Sequence, residues 1–338
     1  MLTQRKTDLL KTVVGEYIGS ASPVASETVA KKHSPGLSSA TVRNEMAHLE
    51  FEGYITRPHH SAGAVPSDKG YRFYVETLSQ WEELPSESQH TVRYQFTRAG
   101  RDIDGWTRLA ATALAQLVNN AALVTYPREP ESRLIRVNLV QIQESLAFLI
   151  VVLQEVKLRK QLVPLTEPLT SDDLQMMGNR LNDSFSGLSR REILSKPMDV
   201  SPLQRTVTDM ILDIMETEDR ALYNDHYVEG LQHLLSQPEF SEGSKAREMV
   251  EVLEDKELPK MVLAEAPEWG HMKVIIGGEN RVTFLHPLSM IVCQYGLPGG
   301  GLGSISALGP TRMEYSRTIA GVRFIASLMT DLMAQVHG

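Results

Sequence analysis

Residues Ser38–Tyr74 read SSATVRNEMAHLEFEGYITRPHHSAGAVPSDKGYRFY, and this stretch decides the reading of the N-terminal part of the chain. At about 100° per residue, Val42, Met46 and Leu49 fall in one narrow arc, so a helix here turns them inward. Ser38 is placed to cap it. After Gly53, Tyr54–Arg57 reads as a short strand, Pro58–Gly63 as a turn and Ala64–Val65 as the returning strand. Pro66-Ser67 ends the hairpin and caps a further helix. Upstream, Leu10, Val13, Val14, Tyr17 and Ile18 keep helical spacing over Leu9–Ile18, with Gly19 and Pro23 as punctuation. Ser26 opens a second helix over Ser26–His33. Helix, helix, turn, helix, two-stranded wing is the order of a winged helix-turn-helix, which presents one helix to the DNA major groove.

The outer side of the third helix carries Ala40, Thr41, Asn44, Ala47 and His48, with Arg43 on its flank. The two alanines are small enough to let the backbone approach base edges. Asn44 suits the bidentate edge of adenine, Arg43 a guanine or a phosphate, and Ser39 and Thr41 phosphates. Ser38 and His48 complete the DNA-facing set expected on this helix. An isolated helix with this face would read as an ordinary solvated one; the wing that follows argues for the reader. Arg57, His59, His60 and Lys69 are the expected backbone contacts of the wing. No cysteine and no well-placed carboxylate accompanies the paired histidines, so no metal site is expected there.

Composition sets the scale. The 338 residues are 42% hydrophobic, enough for two or three folded units. The net charge is −8, but residues 1–78 hold nine Lys/Arg and eight Asp/Glu, while the remainder holds 25 and 34. The acid lies outside the head. A surplus of one positive charge is a weak footprint for nucleic acid, so pairing two heads is energetically attractive. The only cysteine, Cys293, lies in the apolar run Met290–Tyr295 and reads as a buried strand residue, in keeping with a reducing cytoplasm. No unbroken apolar run approaches the ~20 residues of a membrane span, and the N-terminus lacks the pattern of a signal peptide.

Beyond the head, Ser79–Asp104 is polar at its start and reads as a linker. Trp106, Leu109, Ala110, Ala113, Leu114, Leu117 and Val118 recur at helical spacing. Leu134–Ile142, Leu146–Leu153 and Lys157–Val163 read as strands, with Gln143–Ser145 as a turn. From Pro164 to about Pro259 the pattern is helical, over Leu174–Leu188, Leu203–Tyr223, Val228–Leu235 and Lys245–Leu253. Strand character returns at Met272–Ile276, Val282–Leu285, Ser289–Tyr295 and Leu302–Leu308 before a closing amphipathic helix with Ile319, Val322, Ala326, Met329, Leu332 and Val336. A sheet-forming unit interrupted by a helical block reads as one domain with an insertion. Leu297–Gly303, LPGGGLG, is not a phosphate loop: no lysine follows Gly303, and a strand rather than a helix comes next. Met210, Met215 and Met249 read as packing residues. No nucleophile–base pair, metal cluster or cofactor motif stands out, so neither an enzyme nor a bound cofactor is expected.

Several segments resemble one known family. SSATVRNEMAHLE and PHHSAGAVPSDKGYRFYVETL are similar to the N-terminal signature of the heat-inducible transcription repressor HrcA family. IGGEN (Ile276–Asn280), LSMIVCQYG (Leu288–Gly296) and GPTRMEYSRTI (Gly309–Ile319) extend the resemblance, in order, over nearly the whole chain. It implies an α+β multidomain protein: a winged helix-turn-helix over 1–78, a linker over 79–104, and a GAF-like α/β domain in two parts, 105–163 and 260–338. A mainly helical inserted dimerisation domain over 164–259 interrupts that GAF-like domain. It further implies a cytoplasmic repressor of chaperone operons that binds a CIRCE-type inverted repeat as a homodimer. A GroEL-type chaperonin would maintain its activity, and heat stress would relieve it. Family wings usually read SAGR, whereas Ala64 follows Ser61-Ala62-Gly63 here, removing a guanidinium from the wing. The alternative from a different class is a regulator that senses a small molecule through its GAF-like domain.

Overall fold

The computed structural model describes residues 2–33, 38–59, 62–78, 83–100, 102–127, 132–154, 157–165, 167, 169–196, 201–221, 226–241, 243–254, 258–298 and 301–337. It is a mixed α/β protein that divides into two compact units, one joining Met1–Pro127 with His226–Gly338 and the other comprising Arg128–Asp225.

The first unit opens with helices α1 (Gln4–Ser20), α2 (Ser26–His33) and α3 (Ser39–Phe51), a hairpin of β1 (Ile55–Thr56) and β2 (Val65–Pro66), and α4 (Asp68–Glu76). Leu9, Leu10, Val13 and Val14 of α1 meet Val42, Met46 and Leu49 of α3 in one core. Ala21 ends α1 in the left-handed region, its N–H donating to Tyr17 O. The hairpin does not stand alone. Ala64 and Val24 exchange two backbone hydrogen bonds of 2.8 Å, so the returning arm is joined to the segment between α1 and α2.

Helices α5 (Ser86–Arg98) and α6 (Ile103–Val118) lead into β3 (Ala121–Thr125). The stretch expected to be a linker therefore contains a full helix, whose Val92 and Phe96 are buried. Asn119 closes α6 with a positive φ, and β3 begins two residues later.

The second unit is a meander of β4 (Leu134–Gln143), β5 (Leu146–Leu153) and β6 (Lys157–Pro164), followed by α7 (Ser171–Phe185), α8 (Arg190–Leu194) and α9 (Pro202–Ala221). Val137, Leu139, Leu149 and Val151 of the sheet form a core with Leu174, Leu181, Ile211 and Met215 of the helices. These three strands had been read as part of the interrupted domain; here they form a sheet of their own in the interrupting unit.

The chain then returns to the first unit through β7 (His226–Glu229), α10 (Leu231–Leu235), α11 (Gly243–Glu254), α12 (Leu258–Ala264), β8 (Met272–Ile276), β9 (Leu288–Gly296), β10 (Leu302–Pro310) and α13 (Tyr315–His337). The sheet order is β7-β3-β10-β9-β8, antiparallel throughout. Its residues alternate between two covered faces. Ala122, Val124, Ile291, Cys293 and Ile305 join the core that contains α6 and α13. Ala121, Leu123, Met290, Val292 and Leu308 join residues of α10–α12. Burial on both faces explains why β3, AALVT, and the Met290–Cys293 part of β9 lack the polar alternation of a half-exposed strand.

This arrangement moves the boundaries inferred from composition. Val228–Leu235, read as helix within the insertion, begins with the last two residues of strand β7 before helix α10, and α10–α12 cover the main sheet. Val282–Leu285, read as strand, includes a short 3-10 turn at Thr283–Leu285. Thr125 and His226 are register partners on adjacent strands, so the second unit leaves and re-enters where a hairpin turn would otherwise lie. An insertion there leaves the ladder on either side intact. Helix α13 reaches the length and apolarity of a membrane span over Tyr315–Val336, which unbroken apolar runs did not reveal. Its Ile319, Val322, Ile325 and Met329 are buried in the protein core.

Candidate nucleic-acid interface

Helix α3 is built to have two unlike faces. Ser38 caps it, accepting from Thr41 N–H at 3.1 Å, and its hydroxyl lies 2.9 Å from Thr41 Oγ1. Val42, Met46 and Leu49 are buried, while Ser39, Ala40, Arg43, Asn44, Ala47 and His48 are exposed and Thr41 is half-buried. Among the described residues, Arg43 and Asn44 have no hydrogen-bond or ion-pair partner. Two small side chains and two unengaged planar polar ones therefore share one side of a rigid helix.

Sequence reasoning missed Phe51, which is 92% exposed at the end of α3. Ala40, Asn44, Ala47 and Phe51 lie at i, i+4, i+7 and i+11, so the phenyl ring extends the outer stripe by a further turn. The same spacing that separated the helix faces would have found it. An apolar ring on such a stripe suits the methyl group of thymine.

The expected wing contacts are less free. Arg57 lies at the end of β1 with Nε 3.3 Å from Glu50 Oε2. His59 is exposed at the turn, and His60 lies outside the described residues. Lys69 turns back toward the hairpin base: Nζ donates to Glu52 O at 2.7 Å and stands 4.3 Å from the centre of the Tyr54 ring. Lys6 donates to Glu52 Oε1 at 2.8 Å and holds that carboxyl below its ordinary range, with smaller contributions from the charges of Lys6 and Lys69. Lys32 pairs with Glu16. Much of the head's modest positive charge is thus already neutralised locally. Ala64, which stands where the wings of the resembling family usually carry arginine, is fully buried against Val24.

Elsewhere in this unit, Trp269, His271, Cys293, Gln294, Arg323 and Thr330 line an open cleft of about 230 Å³. Two of its polar groups are engaged in the protein itself: Trp269 Nε1–H donates to Gly296 O at 3.1 Å, and Thr330 Oγ1 accepts from Gly296 N–H. Burial pushes the Cys293 thiol up to about 12, against a smaller opposing effect of Arg323. No cluster of potential metal ligands occurs among the described residues.

Comparison with known proteins places the chain. Residues 104–319 match the family model described as HrcA protein C terminal domain. A heat-inducible transcription repressor HrcA from Dehalococcoides mccartyi is 37% identical over 338 residues, covering 100% of this chain and 98% of the relative. Another from Roseiflexus castenholzii is 35% identical, covering 100% of this chain and 96% of the relative. A crystal structure titled as that of a hypothetical protein shares the fold with a TM-score of 0.60 at 22% identity, over 99% of both chains. The class these matches define is the transcription repressor, acting in heat-shock regulation. The chain belongs to the HrcA family.

Proposed function

We propose that this protein represses chaperone operons by binding a CIRCE-type inverted repeat as a homodimer. Residues 1–78 act as a winged helix-turn-helix head, with α3 in the major groove. The observation that carries this reading is the outer stripe of α3, where Arg43 and Asn44 stand exposed and unengaged between small neighbours. Asn44 reads an adenine edge and Arg43 a guanine or a phosphate, while Ser38, Ser39, Thr41 and His48 fix the helix on the backbone. Arg57, His59, His60 and Lys69 serve the adjacent phosphates. The repressor works in the bacterial cytoplasm and catalyses no reaction.

The dimer forms through the second unit. One face of its meander covers the helices; the other exposes Val140, Ile142, Phe148, Leu158 and Leu162. Phe148 stands opposite Val140 on one neighbour and opposite Leu162 on the other, so the apolar side chains are contiguous. A patch of this kind marks an interaction surface, and a second copy can meet it about a two-fold axis. Two-fold symmetry in turn matches an inverted repeat, one head to each half-site.

Relief on heating follows if the repressor depends on a GroEL-type chaperonin to reach its DNA-competent fold. A long chain whose GAF-like domain is interrupted by another unit is physically suited to slow folding. Footprinting on inverted-repeat DNA, with and without chaperonin, tests both halves of the proposal. Equal affinity for scrambled DNA would sink the operator assignment, and full activity after unassisted refolding would sink the chaperonin step. A second reading, small-molecule sensing through the GAF-like domain, draws support from the cleft beside Arg323. A ligand that binds there and changes operator affinity would favour it.

A further inference from the structure

Three sequence segments far apart in the chain meet where α4 and the end of α1 approach the five-stranded body. From the head come Asp68, Tyr71 and Arg72, within PSDKGYRFY. From the body come Gly277, Gly278 and Glu279 of IGGEN, with Arg312 and Tyr315 of GPTRMEY. Gly278 N–H donates to Asp68 Oδ2 at 2.8 Å. Arg72 Nε donates to Glu279 Oε1 at 2.8 Å, and Nη2 reaches both Glu279 Oε2 and, at 2.7 Å, Val274 O. Ile276 N–H steadies the same carboxylate at 2.9 Å. Partial burial works to raise the Glu279 pKa, but the Arg72 and Ile276 hydrogen bonds and the Arg72 charge outweigh it and leave the group below its ordinary range.

A second anchor lies at the end of α1. Arg312 donates from Nη1 to Ile18 O at 3.0 Å and from Nη2 to Gln237 Oε1 at 2.8 Å, and its Nε reaches Glu239 at 2.5 Å. Tyr71 is buried with its ring centre 5.9 Å from that of Tyr315. The approach is close enough to restrict the chain. Gly277 has φ +51°, and a Cβ there would come within 2.4 Å of the Asp68 carboxylate. Fixed donors, a two-pronged arginine contact and shared apolar burial restrain rotation as well as distance.

We infer that Asp68, Arg72, Glu279 and Arg312 are positioning residues for DNA recognition: they clamp the head to the body and so restrict which half-site separations the dimer accepts. This inference rests on the operator reading above. None of the four need touch DNA. A head on a loose tether would tolerate many separations, whereas a clamped head spends less orientational freedom on binding the matching one.

The test uses the full-length chain and inverted repeats whose half-sites are separated by successively added base pairs. Arg72→Ala, Glu279→Gln and the double substitution should each weaken binding at the preferred separation by about fivefold, the scale of a partly exposed ion pair. The penalty for other separations should shrink, flattening the profile, while affinity for scrambled DNA stays unchanged. Hydrogen exchange should show faster exchange at the Gly278 amide with α13 still protected. Should Arg72→Ala loosen the body itself, Glu279→Gln retains side-chain volume and gives the same reading. Faster Gly278 exchange with an unchanged separation profile overturns the inference while leaving the operator reading intact. A wild-type protein with no preference for inverted repeats overturns the operator reading, and this inference with it.

Discussion

Replacing Lys69 with Met separates two roles that its position allows. The ammonium has three N–H donors, and one is committed to Glu52 O at 2.7 Å. Two remain to face a phosphate. A dimer presents two such lysines, and each phosphate contact contributes about 0.9 to the slope of log affinity against log salt, so Lys69→Met should lower that slope by about 1.8. Between about 50 and 200 mM salt, a fourfold change, the variant should then lose about twelvefold less affinity than the wild type. The loss should be the same for operator and scrambled sequence, because a phosphate contact carries no base information. Met preserves most of the stem over Tyr54 but removes the donor and the charge, a stability cost of about 1 kcal/mol. Fluorescence anisotropy titrations at several salt concentrations measure the slope, and thermal melts measure the stability. An unchanged slope beside a lowered melting temperature would refute the phosphate contact and leave Lys69 as a tie between α4 and the hairpin base.

Other substitutions address the remaining surfaces. Asn44→Ala should cost about 1–3 kcal/mol of operator binding with little change on scrambled DNA, measured by competition gel shift; equal losses on both would rule out a base contact. Phe148→Asp, or Leu162→Asp on the neighbouring strand, should halve the mass found by light scattering, because a two-fold interface meets each new carboxylate twice. An intact dimer in both variants would place the interface elsewhere. The Cys293 thiol, pushed up to about 12 from an ordinary 9.0, should resist an aromatic disulfide reagent at pH 8 until the chain unfolds. The folded state holds that proton more tightly, so its contribution to stability is present below pH 9 and declines as pH rises toward 12. Rapid labelling of the native chain would show that the strand opens readily.

The two faces of α3 were legible because the inward positions Val42, Met46 and Leu49 differ chemically from the outward ones. The caps at Ser38 and Ser67 were legible for the same local reason. Strand β3 was not: AALVT is buried on both faces and follows directly on an apolar helix, so periodicity offers no change to mark its start. The division between units was missed because sheet membership is set by partners remote in sequence. Leu134–Gln143 pairs within the insertion, whereas His226–Glu229 pairs across it with Ala121–Thr125. Within the candidate site, residue types could be read directly, but commitments could not. That Lys69 is tied to a carbonyl, Arg57 to Glu50, and position 64 to Val24 depends on contacts that only the folded chain defines.

The apolar interior around α6 and α13 continues without a break into the helices of the head, whereas the insertion keeps an interior of its own. The packing boundary of the molecule therefore does not follow the one between the proposed DNA-binding head and the rest of the chain. Residues 1–127 and 226–338 should therefore melt as one cooperative block and the insertion as another. On the operator reading proposed above, loss of sequence recognition on heating should then be an all-or-none event, set by the stability of more than two hundred residues rather than by the few proposed to face the DNA.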